Sequence, residues 1–124
     1  CIKQGLDVFR AVGAKNAGFC LDTWHTFMGP SSYDDIALIK PEEITTVELE
    51  DGYKDLVSKS LWRDTCDYRL PAGEGDFDCK DFIERVLALG YTGTIGCEII
   101  AIDHRELPLK RAAARAYASV KQYL

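Results

Sequence analysis

Three short segments of the chain each end in residues able to bind a cation or move a proton: Asp22 with His25, Glu48 with Glu50 and Asp51, and Glu98. Carboxylate oxygens are the donors that hard divalent cations prefer, and a carboxylate or imidazole beside such an ion can carry protons to and from a substrate. Glu98 is the most informative of these residues, because it interrupts the otherwise apolar run IGCEII, residues 95–100. A carboxylate in such surroundings is costly unless it is paired with a buried Arg or Lys, hydrogen-bonded, or bound to a cation.

In Asp22-Thr23-Trp24-His25 a single turn returns the imidazole to the side of the carboxylate. As a bare pattern this spacing is weak, and a loop histidine is the ordinary alternative; its position directly after a strand, in a chain with two histidines, favours a site. Alternation in VELED, residues 47–51, puts Val47 and Leu49 on one face and Glu48 and Glu50 on the other, towards a shared interior or, alternatively, towards water. Arg69 precedes the Pro71–Gly75 turn, where a guanidinium could hold hydroxyls, a carboxylate or a phosphate, or simply lie on the surface. Trp24 and Phe27 offer either an apolar wall for a sugar ring or ordinary core, and His104 reads as a residue outside the site.

The positioning elements follow from periodicity. Ile2, Leu6, Phe9 and Val12 predict a helix over 2–12 that stops at Gly13. Residues 17–22, 44–51 and 94–100 are short apolar or β-branched runs that predict strands, and the stretch from Trp24 through Gly29-Pro30 reads as a loop. A short helix is expected over 33–39. Residues 52–77 read as a long polar connection with a helical turn near Leu56–Leu61. Asp78 is expected to cap a helix bearing Phe82, Val86 and Leu89 that ends at Gly90, and Pro108 to open a terminal helix buried along Leu109, Ala113, Ala116 and Val120. This alternation predicts an α/β fold of parallel strands covered by helices, with active groups gathered at the C-terminal ends of the strands.

The 124 residues are 47% hydrophobic and 28% charged, as in an ordinary globular domain. The net charge of −5 argues against a nucleic-acid partner. Five scattered cysteines without a CxxC pair read as reduced thiols in a cytoplasmic protein. No apolar run reaches the roughly 18 residues that cross a bilayer, and the opening residues lack a signal-peptide pattern. The chain opens on Cys1 within a helical pattern and holds three strands, whereas a complete barrel runs to about 250 residues, so an incomplete barrel is expected.

Taken together, AKNAGFCLDTWH, ITTVELED, RLPAGEGDFD and GYTGTIGCEII resemble, in order and spacing, the sugar phosphate isomerase/epimerase family. These xylose isomerase-like TIM barrels include inosose dehydratases, hydroxypyruvate isomerases and ketose 3-epimerases. The resemblance runs through the whole chain and implies that residues 1–124 form the C-terminal part of a (β/α)8 barrel, strands six to eight with the preceding helix. It implies a divalent metal (manganese, magnesium, cobalt or zinc) held by Asp22, Glu48 and Glu98, with His25 and Arg69 touching substrate. Two departures matter: the seventh-strand ligand is usually His or Gln where Glu48 stands, and the family's fifth-strand Glu has no counterpart here.

The implied activity is isomerisation or epimerisation of a sugar or keto-polyol through an enediolate, with Glu98 shuttling the proton; Trp24 would line the substrate. Loss of a β-hydroxyl from the same enediolate would make the protein a dehydratase. A non-catalytic piece, such as a split-barrel subunit completed by an N-terminal half or by self-association, is the other alternative. An apurinic endonuclease would need more histidines and a basic face. By itself the chain is expected to bind metal weakly and to turn over no sugar.

Overall fold

The computed structural model describes all residues 1–124, and its sheet order explains why the acidic segments meet. Strands β1 (Phe19–Asp22), β2 (Ile44–Glu48) and β5 (Ile95–Gly96) form one parallel sheet in the order β1-β2-β5. Asp22 pairs in register with Glu48, and Glu48 with Gly96, so the strand ends form a row. Helices α1 (Ile2–Val12), α4 (Cys79–Ala88) and α6 (Leu109–Lys121) alternate with these strands. Side chains facing the helices fill the core, among them Leu21, Val47, Leu49, Ile36, Phe82 and Val86. The fold is α/β, a parallel-stranded part of a barrel rather than a closed one.

Local chemistry sets the element ends. Gly13 closes α1 in the left-handed region at φ 62, which costs a glycine nothing. The Asp78 side chain accepts the Asp81 N–H at the start of α4, as the sequence predicts. Ser32 caps a 3-10 turn, Tyr33–Leu38, in place of the expected short helix. All five cysteines are free. No helix is long and apolar enough to cross a membrane.

Several expectations need correction. The stretch from Trp24 is not a loop: α2 (Thr23–Met28) begins there because the Asp22 carboxylate accepts the His25 N–H at 2.7 Å, and Gly29 ends it. The strand over 44–51 breaks at Leu49, and Glu50–Asp51 (β3) turn to pair antiparallel with Leu70–Pro71 (β4). Within 52–77 the helix is α3 (Leu61–Asp67), displaced from the expected turn because Ser60 caps it and Asp64 ties down Val57 and Ser58. Beyond Gly96 the third strand loses its ladder, followed by a short helix α5 (Ile102–Arg105). In α6 Leu109 and Ala113 are exposed; Ala112, Ala116, Ser119 and Val120 face inward, a stripe rotated from the predicted one.

An ion pair ties α1 to the entry of β2: Arg10 donates to Glu43 at 2.9 and 2.7 Å, and the Lys40 N–H adds a third bond at 2.9 Å. The guanidinium first, then the backbone amide, hold the Glu43 carboxyl down at about 2, against an ordinary value of 4.5. Because the folded value is the lower one, the stabilisation is fully present above about pH 4.5 and is lost as pH falls through about 2. Glu43→Gln is expected to flatten the acid limb of a circular-dichroism pH titration in that window. An unchanged slope would show that the pair contributes nothing.

Candidate functional site

The sheet carries its acids to one end. Asp22 caps α2 from the last position of β1, Glu48 ends β2 beside it, and Glu98 follows two residues after Gly96 in the neighbouring strand. One oxygen from each of Asp22, Glu48 and Glu98 lies within 4.8 Å of the other two. The three residues named from sequence as candidate cation donors therefore meet. Asp22 is buried, and the Glu98 side chain is 43% exposed, open to the mouth of the sheet.

At the centre stands Arg69, which is only 1% exposed and so is no surface arginine. Its Nη1 donates to Asp22 Oδ2 at 3.0 Å, forms an ion pair with Glu98 Oε2 at 2.8 Å, and lies 3.5 Å from Glu50 Oε1. Nη2 donates to Thr65 Oγ1 at 2.8 Å and faces His25 Nε2 at 3.2 Å, while Nε reaches the Thr65 carbonyl at 3.1 Å. The guanidinium carbon sits 5.2 Å from the centre of the Trp24 ring. Trp24 is 3% exposed, so it is a platform beneath Arg69 and not an open wall for a sugar. The His25 side chain, 62% exposed, is the site residue most open to an incoming molecule. Phe27 stacks on Phe77 with ring centres 4.0 Å apart, and His104 lies in α5, apart from this cluster.

The sequence offers Glu50 as a second acid at the strand end, beside Glu48 but outside the expected ligand set, and the structure gives it a different part. It is fully buried, and its two oxygens accept the N–H groups of Trp24 and Glu98, each at 3.2 Å. Burial first, and then the neighbouring Asp22, push its carboxyl well above the ordinary carboxylate range. The i, i+2 spacing from Glu48 was the available signal; its backbone partners are set only by tertiary structure. Asp51 was likewise noted only as an acid. Its oxygens accept the N–H groups of Gly52, Gly73 and Phe77 at 2.8, 3.0 and 2.9 Å, and so fold the Pro71–Phe77 turn beside Arg69. Cys20 donates its thiol to Glu48 Oε2 at 3.2 Å; burial, then Glu48, push it up to about 12, so it stays a thiol rather than a thiolate.

The donor set can be tested against a cation by charge alone. Leaving Glu50 aside, Asp22, Glu48 and Glu98 stand against the single guanidinium of Arg69, an excess of two negative charges whose oxygens lie within 4.8 Å of one another. One divalent cation with a preference for oxygen would offset that excess. The residues present fit such an ion.

The comparisons agree with this architecture. Residues 1–122 match the family model of the xylose isomerase-like TIM barrel, and the chain belongs to that family. A 3-dehydroshikimate dehydratase of Pseudomonas aeruginosa is 27% identical over 118 residues, 95% of this chain and 18% of that protein. Among solved structures, the IOLI protein with a binding zinc atom superposes with a TM-score of 0.86 at 16% identity, over 98% of this chain and 42% of that one. A xylose isomerase domain protein from Alicyclobacillus acidocaldarius superposes with a TM-score of 0.74 at 23% identity, over 99% of this chain and 43% of that one. The chain thus spans less than half the length of each of these relatives.

The buried Glu50 leans on Arg69, and removing one member of such a pair strands the other. Arg69→Met, measured by urea unfolding with chelator present, is expected to lower stability by about 3 to 5 kcal/mol. A loss below about 1 kcal/mol, the worth of a surface pair, would show that Arg69 is not the internal counter-charge.

Proposed function

We propose that residues 1–124 supply the Asp22, Glu48 and Glu98 side of a divalent-cation site in an enzyme that isomerises or epimerises a sugar or keto-polyol. The convergence of those three carboxylates, one oxygen of each within 4.8 Å of the other two, is the observation that carries this reading. Asp22, Glu48 and Glu98 would hold the ion, whether manganese, magnesium, cobalt or zinc. When bound, such an ion polarises a substrate carbonyl and stabilises the charge of an enediolate.

The chain's own residues supply the rest. Glu98, partly open at the mouth, has one oxygen engaged by Arg69 and another turned to neither that guanidinium nor a ladder partner. That second oxygen would take the proton from the carbon beside the carbonyl and return it to the former carbonyl carbon while the hydroxyl proton passes between the two oxygens; for epimerisation a second acid, outside these residues, would deliver a proton to the opposite face. Atoms balance without any co-reactant, since one C–H bond breaks and one forms. Exposed His25 would hydrogen-bond substrate hydroxyls, held in place by Arg69 and stacked edge-on against Trp24. Arg69 would fix Asp22 and Glu98 and hold His25, acting on substrate through those residues, with Trp24 beneath it.

A second reading is a dehydratase, in which the enediolate expels a β-hydroxyl as water. The kinship to a protein named 3-dehydroshikimate dehydratase favours it. A non-catalytic subunit is the third reading, and the open strand edges of a three-stranded sheet support it.

The test uses the full-length protein with manganese or magnesium, a panel of ketoses and keto-polyols, and solvent deuterium. The isomerase reading expects deuterium to enter the carbon next to the carbonyl without loss of water, with Glu98→Gln lowering the rate by about 100-fold or more, as for loss of a general acid-base group. Products one water lighter would favour the dehydratase reading. No turnover and no deuterium exchange with any of these substrates would overturn both.

A further inference from the structure

We infer that Glu50 is a positioning residue for the proposed cation site, clamping the backbone at Trp24 and at Glu98 so that Asp22 and Glu98 face each other. The inference rests on the reading of Asp22, Glu48 and Glu98 as cation donors, and it concerns a residue that is not itself among them. Glu98 lies past the last ladder bond of its strand, the Leu49 N–H to the Gly96 carbonyl at 3.0 Å. What holds its amide is Glu50 Oε2, at 3.2 Å. On the opposite side Glu50 Oε1 accepts the Trp24 N–H, also at 3.2 Å, one of the amides at the start of α2 that the helix leaves without an internal partner. Asp22 immediately precedes α2 and caps the next amide, that of His25. One buried side chain thus bridges the backbone of both flanking donors, across the middle strand.

A carboxylate with no exposed surface is a costly way to stabilise a fold, since an apolar side chain of similar volume is often as good or better. Its geometry is what an apolar residue cannot supply: two oxygens aimed at two amides, one in the first turn of α2 and one beyond the end of β5. Oε1, the oxygen that holds the Trp24 amide, also lies 3.5 Å from Arg69 Nη1, so the guanidinium that meets Asp22 and Glu98 is referenced to the same side chain.

The experiment compares wild type, Glu50→Leu, Glu50→Gln and Glu98→Gln in the full chain. Amide hydrogen exchange reads the clamp directly: in Glu50→Leu the Trp24 and Glu98 amides are expected to exchange about tenfold faster, the worth of one lost hydrogen bond each. Glu50→Gln keeps a single acceptor oxygen, so one of the two amides is expected to stay protected. Luminescence lifetimes of bound terbium(III) in light and heavy water then count the water molecules on the ion. Glu50→Leu is expected to gain about one water, as Glu98→Gln does, because a ligand has swung away. Loss of charge alone would weaken terbium binding in Glu50→Leu and Glu50→Gln equally and leave the water count at the wild-type value. That result, or unchanged exchange at both amides, overturns the inference while leaving the cation site standing. Failure of the wild-type protein to bind terbium at all overturns the cation reading and this inference with it. Should Glu50→Leu not fold, Glu50→Gln decides, since neither amide losing protection there contradicts the clamp.

Discussion

Everything at the mouth of this sheet depends on how like charges are held together. Asp22, Glu48 and Glu98 come from the ends of three neighbouring strands, and side by side they would repel by several kcal/mol in a medium of reduced dielectric. Arg69 is the internal answer: a planar donor, fixed by Thr65 and Trp24, that touches Asp22 and Glu98 with one nitrogen. The guanidinium does not neutralise the cluster, and the remaining charge is what gives the cation reading its physical basis. The cysteine nearest the carboxylates, Cys20, is held as a thiol, which leaves the donor set made of oxygen.

Arg69 is in turn held by the turns around it. Its segment runs between helix α3 and strand β4, whose two-residue pairing with Glu50–Asp51 lays the chain across the strand ends. Asp51 gathers its neighbour's amide at Gly52 and two amides of the Pro71–Phe77 turn, and a side chain at Gly75 would collide with the Asp51 carboxylate and the Gly52 carbonyl. Glycine is required there by close approach, not by backbone angle. The Pro71–Phe77 turn is thus a brace for the guanidinium.

Much of this was legible in the residues. Alternation and the strand ends predicted the meeting of Asp22, Glu48 and Glu98, and the capping residues Asp78 and Gly13 marked two helix boundaries correctly. What could not be read were contacts made over long sequence separation. Nothing local said that Asp22 would start a helix at Thr23 while also meeting Arg69, 47 positions away. The break at Leu49 and the fraying of the third strand beyond Gly96 depend on which neighbours offer backbone partners. Glu50 looked like a second mouth acid because its real partners, two amides, carry no mark in sequence. In α6 the expected Ala116 and Val120 do face inward, while Leu109 and Ala113 do not, because alanines leave the inward face of the first turns poorly defined.

The central claim concerns one point in space, and a crystal structure of the full-length protein soaked with manganese(II), read by its anomalous scattering, tests it most directly. A single strong peak is expected at the strand ends with oxygens of Asp22, Glu48 and Glu98 about 2.0 to 2.3 Å away, the range of hard oxygen-ligated cations. A peak elsewhere, or none with Asp22 and Glu98 engaged by Arg69 alone, would contradict it.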